Sequence, residues 1–125
     1  MTTLAIETNA LTKHYEVGFV RKRTVRALDS LTLKVEPGQV MGLLGPNGAG
    51  KSTTIKILLN LIRATSGTAR LFGMDPADGQ ARRDVGFLPE NPAPYEYLTG
   101  EEFVSLAGTL GGLSGSKLTE RVDAV

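Results

Sequence analysis

The sequence contains no cysteine and only one histidine, His14, among its 125 residues. Without cysteine the chain forms no disulfide and has neither a thiolate nucleophile nor a cysteine metal centre, and a single histidine excludes a histidine metal cluster. Long hydrophobic runs are also absent, since VMGLLG and ILLNLI are far shorter than the ~20 residues of a membrane-spanning helix. Fourteen basic residues balance thirteen acidic ones to a net charge of +1, which predicts no general attraction to nucleic acid or acidic membranes.

The length and composition predict one modest globular domain. Hydrophobic residues make up 41% of the chain and charged residues 22%, which is an ordinary balance for a soluble domain. The first ten residues, MTTLAIETNA, lack the basic start of a secretory signal. We therefore expect a cytoplasmic protein, which reaches the inner face of the cell membrane only through a partner.

Apolar stretches separated by turns predict five strands and a helix. The predicted strands are Leu4–Leu11 and residues 31–36, 39–45, 66–73 and 84–90. A helix beginning at Lys51 should pack its apolar face against the sheet, and that face consists of Ile55, Leu58, Leu59 and Ile62.

Two further helices are predicted after the strands. Thr99 and Glu102 form a capping-box pattern before a helix whose apolar face is Phe103, Leu106, Ala107 and Leu110, and which should end at Gly111-Gly112. The last helical segment, from about Ser116, has no stop signal by Val125, which suggests that the natural chain continues.

A short basic run, formed by Arg21, Lys22, Arg23 and Arg26, follows the first strand. Short charge runs are typical of solvated loops, so we interpret it as an exposed hairpin loop. A contact with nucleic acid or with lipid headgroups is the alternative. No aromatic residue interrupts the run, which argues against nucleic acid as a partner.

The sequence GPNGAGKSTT, residues 45–54, carries the clearest functional motif. Gly45, Gly50, Lys51 and Ser52 fit the pattern G-x-x-x-x-G-K-[ST], and they lie between a predicted strand and a predicted helix. Glycines allow the backbone to turn its N–H groups inward, and the helix N-terminus adds donors and a partial positive charge. Lys51 can reach the β- and γ-phosphates, Ser52 can bind Mg²⁺, and Thr53 can donate to the α-phosphate. A glycine-rich turn without a ligand is the alternative.

Three separate elements of the sequence together resemble the ATP-binding subunit of an ABC transporter. They are LTKHY, then the stretch from VRALDS through the phosphate loop to RLFG, and then VGFLPENPAPYEYLTGEEF. The resemblance extends from about Leu4 onward and is strongest to bacterial multidrug or lipid exporters. It implies the α/β fold of a P-loop NTPase, represented by its N-terminal portion. Residues 1–88 would form the β-rich region and phosphate loop, and residues 89–125 the start of the helical subdomain.

The resemblance also implies which residues bind ATP and Mg²⁺. The nucleotide-binding set is Tyr15, Gly45, Pro46, Asn47, Gly48, Ala49, Gly50, Lys51, Ser52 and Thr53. Tyr15 would stack on adenine, although it could instead be a core or strand-edge tyrosine. Glu90 stands where the family usually has glutamine, so a carboxylate would face the metal and the γ-phosphate, unless Glu90 is only a loop acid. The implied catalytic residues are Lys51 and Glu90, and the implied metal ligands are Ser52 and Glu90.

The implied partners are a transmembrane permease subunit and a second ATP-binding subunit, which would dimerise on ATP. The permease would dock on Asn91 to Phe103, with Tyr95 and Tyr97 as contacts, unless these side chains pack on their own domain. No nucleic-acid partner is implied.

Other elements that the family uses for hydrolysis do not occur in this sequence. No run of four apolar residues ends in aspartate after the loop, His14 precedes the loop, and LSGSK at residues 113–117 lacks the second glycine of the signature. We therefore expect an ATPase subunit whose present residues bind ATP better than they hydrolyse it. The alternatives are a non-catalytic regulatory module, another phosphate-loop enzyme such as a small kinase or GTPase, and a soluble ABC protein.

Overall fold

The structure is a computed structural model that describes residues 3–19, 21–93 and 95–125. It forms two compact units, residues 1–86 and 87–125, and each is described by itself. The first unit contains β1 (Ile6–Val17), β2 (Arg23–Val35), α1 (Lys51–Leu58), β3 (Ser66–Leu71) and α2 (Gly79–Arg82). The second contains α3 (Gly100–Leu110) and α4 (Gly115–Asp123).

The three strands form one antiparallel sheet in the order β2-β1-β3. The predicted strands at residues 4–11, 31–36 and 66–73 lie within or overlap β1, β2 and β3. The first two strands are longer than predicted and form a hairpin. Its turn contains Arg21 and Lys22, both exposed, whereas Arg23 and Arg26 belong to β2. The basic run is therefore exposed, as predicted, but only part of it is a loop.

The Thr12 hydroxyl forms hydrogen bonds at two irregular positions of the β1–β2 pairing, Ala10 and Ser30. Ala10 and Ser30 both have positive backbone φ angles, 45° and 50°, which are unfavourable for residues other than glycine. The Thr12 Oγ1 atom accepts the Ser30 N–H at 3.0 Å and donates to the Ala10 carbonyl oxygen at 3.2 Å. One buried side chain thus supplies partners where the regular ladder is interrupted.

The core of the first unit lies between the sheet and α1. Leu11, Leu28 and Ile57 form one buried cluster, and Leu58, Leu71 and Ala81 form a second. The helix therefore buries Ile57 and Leu58, and the prediction that Ile55 belongs to the buried face was wrong, because that side chain is 38% exposed.

The helix α1 is also shorter than predicted. It ends at Leu58 because Asn60 adopts a left-handed φ of 56°, so Ile62 reaches the core from the following turn.

Two predicted strands, residues 39–45 and 84–90, do not form within the described part of the chain. Both were predicted from apolar runs, but an apolar run becomes a buried strand only where neighbouring strands and covering layers are available. Val40 is 99% exposed, Leu44 is 93% exposed and Leu88 is 82% exposed. The four-residue helix α2, which was not predicted, precedes the second of these segments.

The second unit consists of two helices that pack through a glycine. The Thr99 capping box and the end of α3 at Gly111 are confirmed. A Cβ atom added at Gly108 would lie 2.5 Å from the Cδ1 atom of Leu118, so the absence of a side chain there allows α3 and α4 to approach closely. Ala124 caps α4, which ends at Asp123 rather than running on to Val125 as predicted.

Candidate phosphate-binding site

Residues 45–50 form a tight loop that leads directly into α1. The Ala49 N–H donates to the Pro46 carbonyl oxygen at 3.1 Å, which closes a turn. Gly48 and Gly50 have φ angles of 86° and 88°, in the region that glycine alone occupies without strain. A Cβ atom at Gly48 would meet nothing within 4 Å, so the loop is open to solvent at this residue.

Lys51 folds its side chain back over this loop. Its Nζ atom donates to the carbonyl oxygen of Gly45 at 2.6 Å and to that of Pro46 at 2.9 Å. The ammonium group is therefore held at the loop by two backbone oxygens from its beginning. A positive charge beside the N-terminus of a helix favours an anion at the same place.

The first turn of α1 offers backbone N–H donors and hydroxyl groups. Gly50 is its N-cap and has no side chain to satisfy those donors. The Thr54 hydroxyl, which is buried, donates to the Gly50 carbonyl oxygen at 2.9 Å and fastens the start of the helix. Ser52 is exposed and Thr53 is partly buried. These groups suit a ligand with several anionic oxygens.

The end of the loop rests on a bulge of β2. Lys13 pairs with Leu28 and His14 with Arg26, so Ala27 is an extra residue in that strand. Gly50 is buried against this point, where an added Cβ atom would lie 2.7 Å from the Ala27 carbonyl oxygen and 2.9 Å from Leu28 Cδ1. The hairpin thereby fixes the position of the loop.

Tyr15 lies further along the same hairpin. It pairs with Val25, is partly buried, and its ring has the Lys13 Nζ atom 5.0 Å from its centroid. Among the described residues no hydrogen bond joins Tyr15 to the phosphate loop. Tyr15 and the loop are connected through the β2 residues that pair with β1, and both belong to the first unit.

Glu90 lies in the second unit, where it is exposed in a bend. The predicted docking segment begins at the next residue, and Pro94 within it lies outside the described residues. Tyr95, Tyr97 and Phe103 form an aromatic cluster, with ring centroids 5.5 Å apart for the two tyrosines and 6.4 Å apart for Tyr95 and Phe103. Tyr97 is 79% exposed, so the cluster faces solvent.

Sequence reasoning missed two residues that the structure brings to this site. Ala27 supports the loop through its carbonyl oxygen, and no sequence signal distinguishes a bulged alanine from its neighbours. Lys13 contacts Tyr15, and this contact could have been found, because residues two apart in a strand point to the same face.

The family model described as "ABC transporter" matches residues 28–125 of the chain. The chain belongs to the ABC transporter ATP-binding family. An uncharacterized ABC transporter ATP-binding protein of Synechocystis is 41% identical over 120 residues, which are 96% of this chain and 34% of the relative. The daunorubicin/doxorubicin resistance ATP-binding protein of Streptomyces peucetius is 43% identical over 121 residues, with coverages of 95% and 34%.

Solved ABC structures share the fold. An ATP-binding subunit of an ABC transporter superposes with a TM-score of 0.72 at 37% identity and covers 91% of this chain and 45% of its own. A dimeric ATP-binding cassette in a post-hydrolysis state, bound to ADP and phosphate, gives a TM-score of 0.76 at 27% identity, with coverages of 95% and 54%. The fold is therefore that of an ABC-type P-loop ATPase.

The chain spans about a third of the length of the curated relatives it matches. None of the helices in the described residues has the length and apolar character needed to cross a bilayer.

Proposed function

We propose that this chain binds Mg-ATP in the loop Gly45–Thr53, as the ATP-binding subunit of an ABC-type exporter. The observation that carries the proposal is the placement of Lys51, the first residue of α1, whose Nζ atom is held by two loop carbonyl oxygens at the N-terminus of the helix. An ammonium group and a row of backbone N–H donors at one loop match the oxygens of a polyphosphate.

Each part of the loop has a separate task in this proposal. The backbone of Gly45, Pro46, Asn47, Gly48, Ala49 and Gly50 surrounds the β-phosphate, and Lys51 neutralises the β- and γ-phosphates. The opening at Gly48 fits this task, because no side chain fills it. The Thr53 hydroxyl donates to the α-phosphate, and Tyr15 stacks on the base.

The residues present also fit Mg²⁺, which prefers oxygen ligands and retains several waters. The exposed Ser52 hydroxyl would hold the ion. When bound, the metal ion supplies neutralisation of the phosphate charge.

The proposal extends to the partners and to export. Relatives are named as drug-resistance ATP-binding proteins, and one neighbouring cassette is dimeric, which supports a second ATP-binding subunit and a role in export. The solvent-facing cluster of Tyr95, Tyr97 and Phe103 supports a permease contact on Asn91 to Phe103. The subunit would then work at the cytoplasmic face of the membrane. Its own residues are expected to bind ATP better than they hydrolyse it.

Calorimetric titration of ATP with Mg²⁺ tests the central claim. Lys51→Ala should weaken ATP binding at least tenfold, because a hydrogen bond to a charged group contributes about 1.5–3 kcal/mol. Lys56→Ala is the matched control, since that lysine is exposed in the last turn of the same helix.

Equal ATP affinity in the two variants would contradict the proposal. Competition with GTP separates it from a GTPase, since stacking on Tyr15 predicts little preference among bases whereas a GTPase predicts a strong preference for guanine.

A further inference from the structure

Lys13 lies on β1 near two parts of the proposed nucleotide site, Tyr15 and the phosphate loop. It precedes Tyr15 by two residues, and its Nζ atom is 5.0 Å from the centroid of the Tyr15 ring. Its partner across the hairpin is Leu28, which packs in the core cluster with Ile57 of α1. Cross-strand partners point to the same face of a sheet, so Lys13 and Tyr15 lie on the face that α1 covers further along.

The phosphate loop meets this face beside Lys13. Leu28 Cδ1 would be 2.9 Å from a Cβ atom at Gly50, the N-cap residue of α1. Tyr15 lies two residues beyond Lys13 on β1, a distance of ~6.6 Å at the usual strand rise. The loop therefore contacts the hairpin at the level of Lys13, and Tyr15 lies on the same face two residues beyond it.

We infer that Lys13 is an additional nucleotide-binding residue, which places a positive charge beside the sugar and α-phosphate of the bound nucleotide. The inference rests on the proposed function, because a nucleotide with its base on Tyr15 and its terminal phosphates at Lys51 would pass close to Lys13. The contact with the Tyr15 ring holds the ammonium group on this face before the nucleotide arrives.

Three variants test this role by calorimetry with ATP, ADP and adenosine. Lys13→Met keeps most of the aliphatic stem and removes the charge, and it should weaken ATP and ADP binding about fivefold, at the upper end of the range for exposed ion pairs. Adenosine binding should be unchanged, because adenosine has no phosphate. Lys13→Arg should restore ATP affinity to within about twofold. Lys34→Met, an exposed lysine opposite Glu7 on the same sheet, is the charge-matched control.

Several results would overturn the inference. Equal ATP affinity in Lys13→Met and Lys34→Met would show that Lys13 does not contact the nucleotide. Tighter binding would show that Lys13 competes with the base for the tyrosine ring, and equal losses for ATP and adenosine would show that it only supports the ring. These outcomes leave the effect of Lys51→Ala intact, whereas a chain whose ATP binding is insensitive to Lys51→Ala refutes the proposed function and the inference together.

Discussion

The carbonyl oxygen of Ala27 faces Gly50 so closely that a Cβ atom on the glycine would lie 2.7 Å from it. Gly50 also has a left-handed φ of 88°. Glycine is therefore required here for two independent reasons, the backbone conformation and the lack of space. The contact explains how a sheet that carries none of the phosphate-binding motif nevertheless positions it.

Substitution of Gly50 should reduce the stability of the fold for both reasons. We expect Gly50→Ala to lower the free energy of unfolding by about 2–4 kcal/mol, from conformational strain and overpacking together. Gly48→Ala, with a similar φ but open space, should lose only about 1–2 kcal/mol. Gly79→Ala, which has neither constraint, should change the stability by less than about 0.5 kcal/mol. Urea denaturation of the three variants measures this order, and equal losses for Gly50 and Gly48 would show that the Ala27 contact is unimportant.

The Thr12 hydroxyl should be needed for the stability of the hairpin. Thr12→Val removes both of its hydrogen bonds and leaves the Ser30 N–H without this acceptor, so we expect a loss of about 1–3 kcal/mol in the free energy of unfolding. Thr12→Ser keeps the hydroxyl and should lose less than about 1 kcal/mol, for one methyl group. Thr24→Val, at an exposed position of β2, is the control for the substitution itself. If Thr12→Val and Thr12→Ser are equally stable, the hydroxyl contributes nothing.

The capping box of α3 should respond to pH. The Thr99 N–H donates to Glu102 Oε2 at 2.8 Å and the Thr99 hydroxyl at 2.9 Å. These two hydrogen bonds lower the pKa of Glu102, and the one from the Thr99 backbone N–H has the larger effect. Because the pKa is lower in the folded state, the stabilisation is fully present above the ordinary pKa of glutamate. It is lost as the pH falls through the lowered value.

Nuclear magnetic resonance can follow this titration through the Thr99 amide proton. Its chemical shift should change with a midpoint below the ordinary glutamate range, and Glu102→Gln should abolish the change while keeping an acceptor at the same place. A midpoint at or above the usual glutamate value would contradict the capping geometry.

The parts of the fold that the sequence predicted are those specified by local chemistry. The spacing of Thr99 and Glu102 predicts the start of a helix, and the motif around Lys51 predicts a loop followed by a helix. The failures concern residues 39–45 and 84–90, whose apolar character indicates burial but whose pairing depends on strands elsewhere. Val40 and Leu44 are almost fully exposed in the structure, so their sequence was a poor guide to their environment.

The candidate site was predictable to a similar degree. Phosphate binding requires particular residue types in the loop, so the loop can be recognised directly in the sequence. The support from Ala27 depends on the register of β1 against β2, which shifts between Lys13 and His14. A register shift of this kind follows from tertiary packing, and no single residue encodes it.

The two carbonyl contacts of Lys51 have a stereochemical consequence. An ammonium group has three N–H bonds arranged as a tripod, and here two of them point to Gly45 and Pro46. The third can point to a phosphate oxygen without disturbing the other two. Arginine carries the same charge, but the N–H bonds of its guanidinium group lie in one plane and cannot reproduce this arrangement. The position therefore selects lysine for the shape of its donor group as well as for its charge.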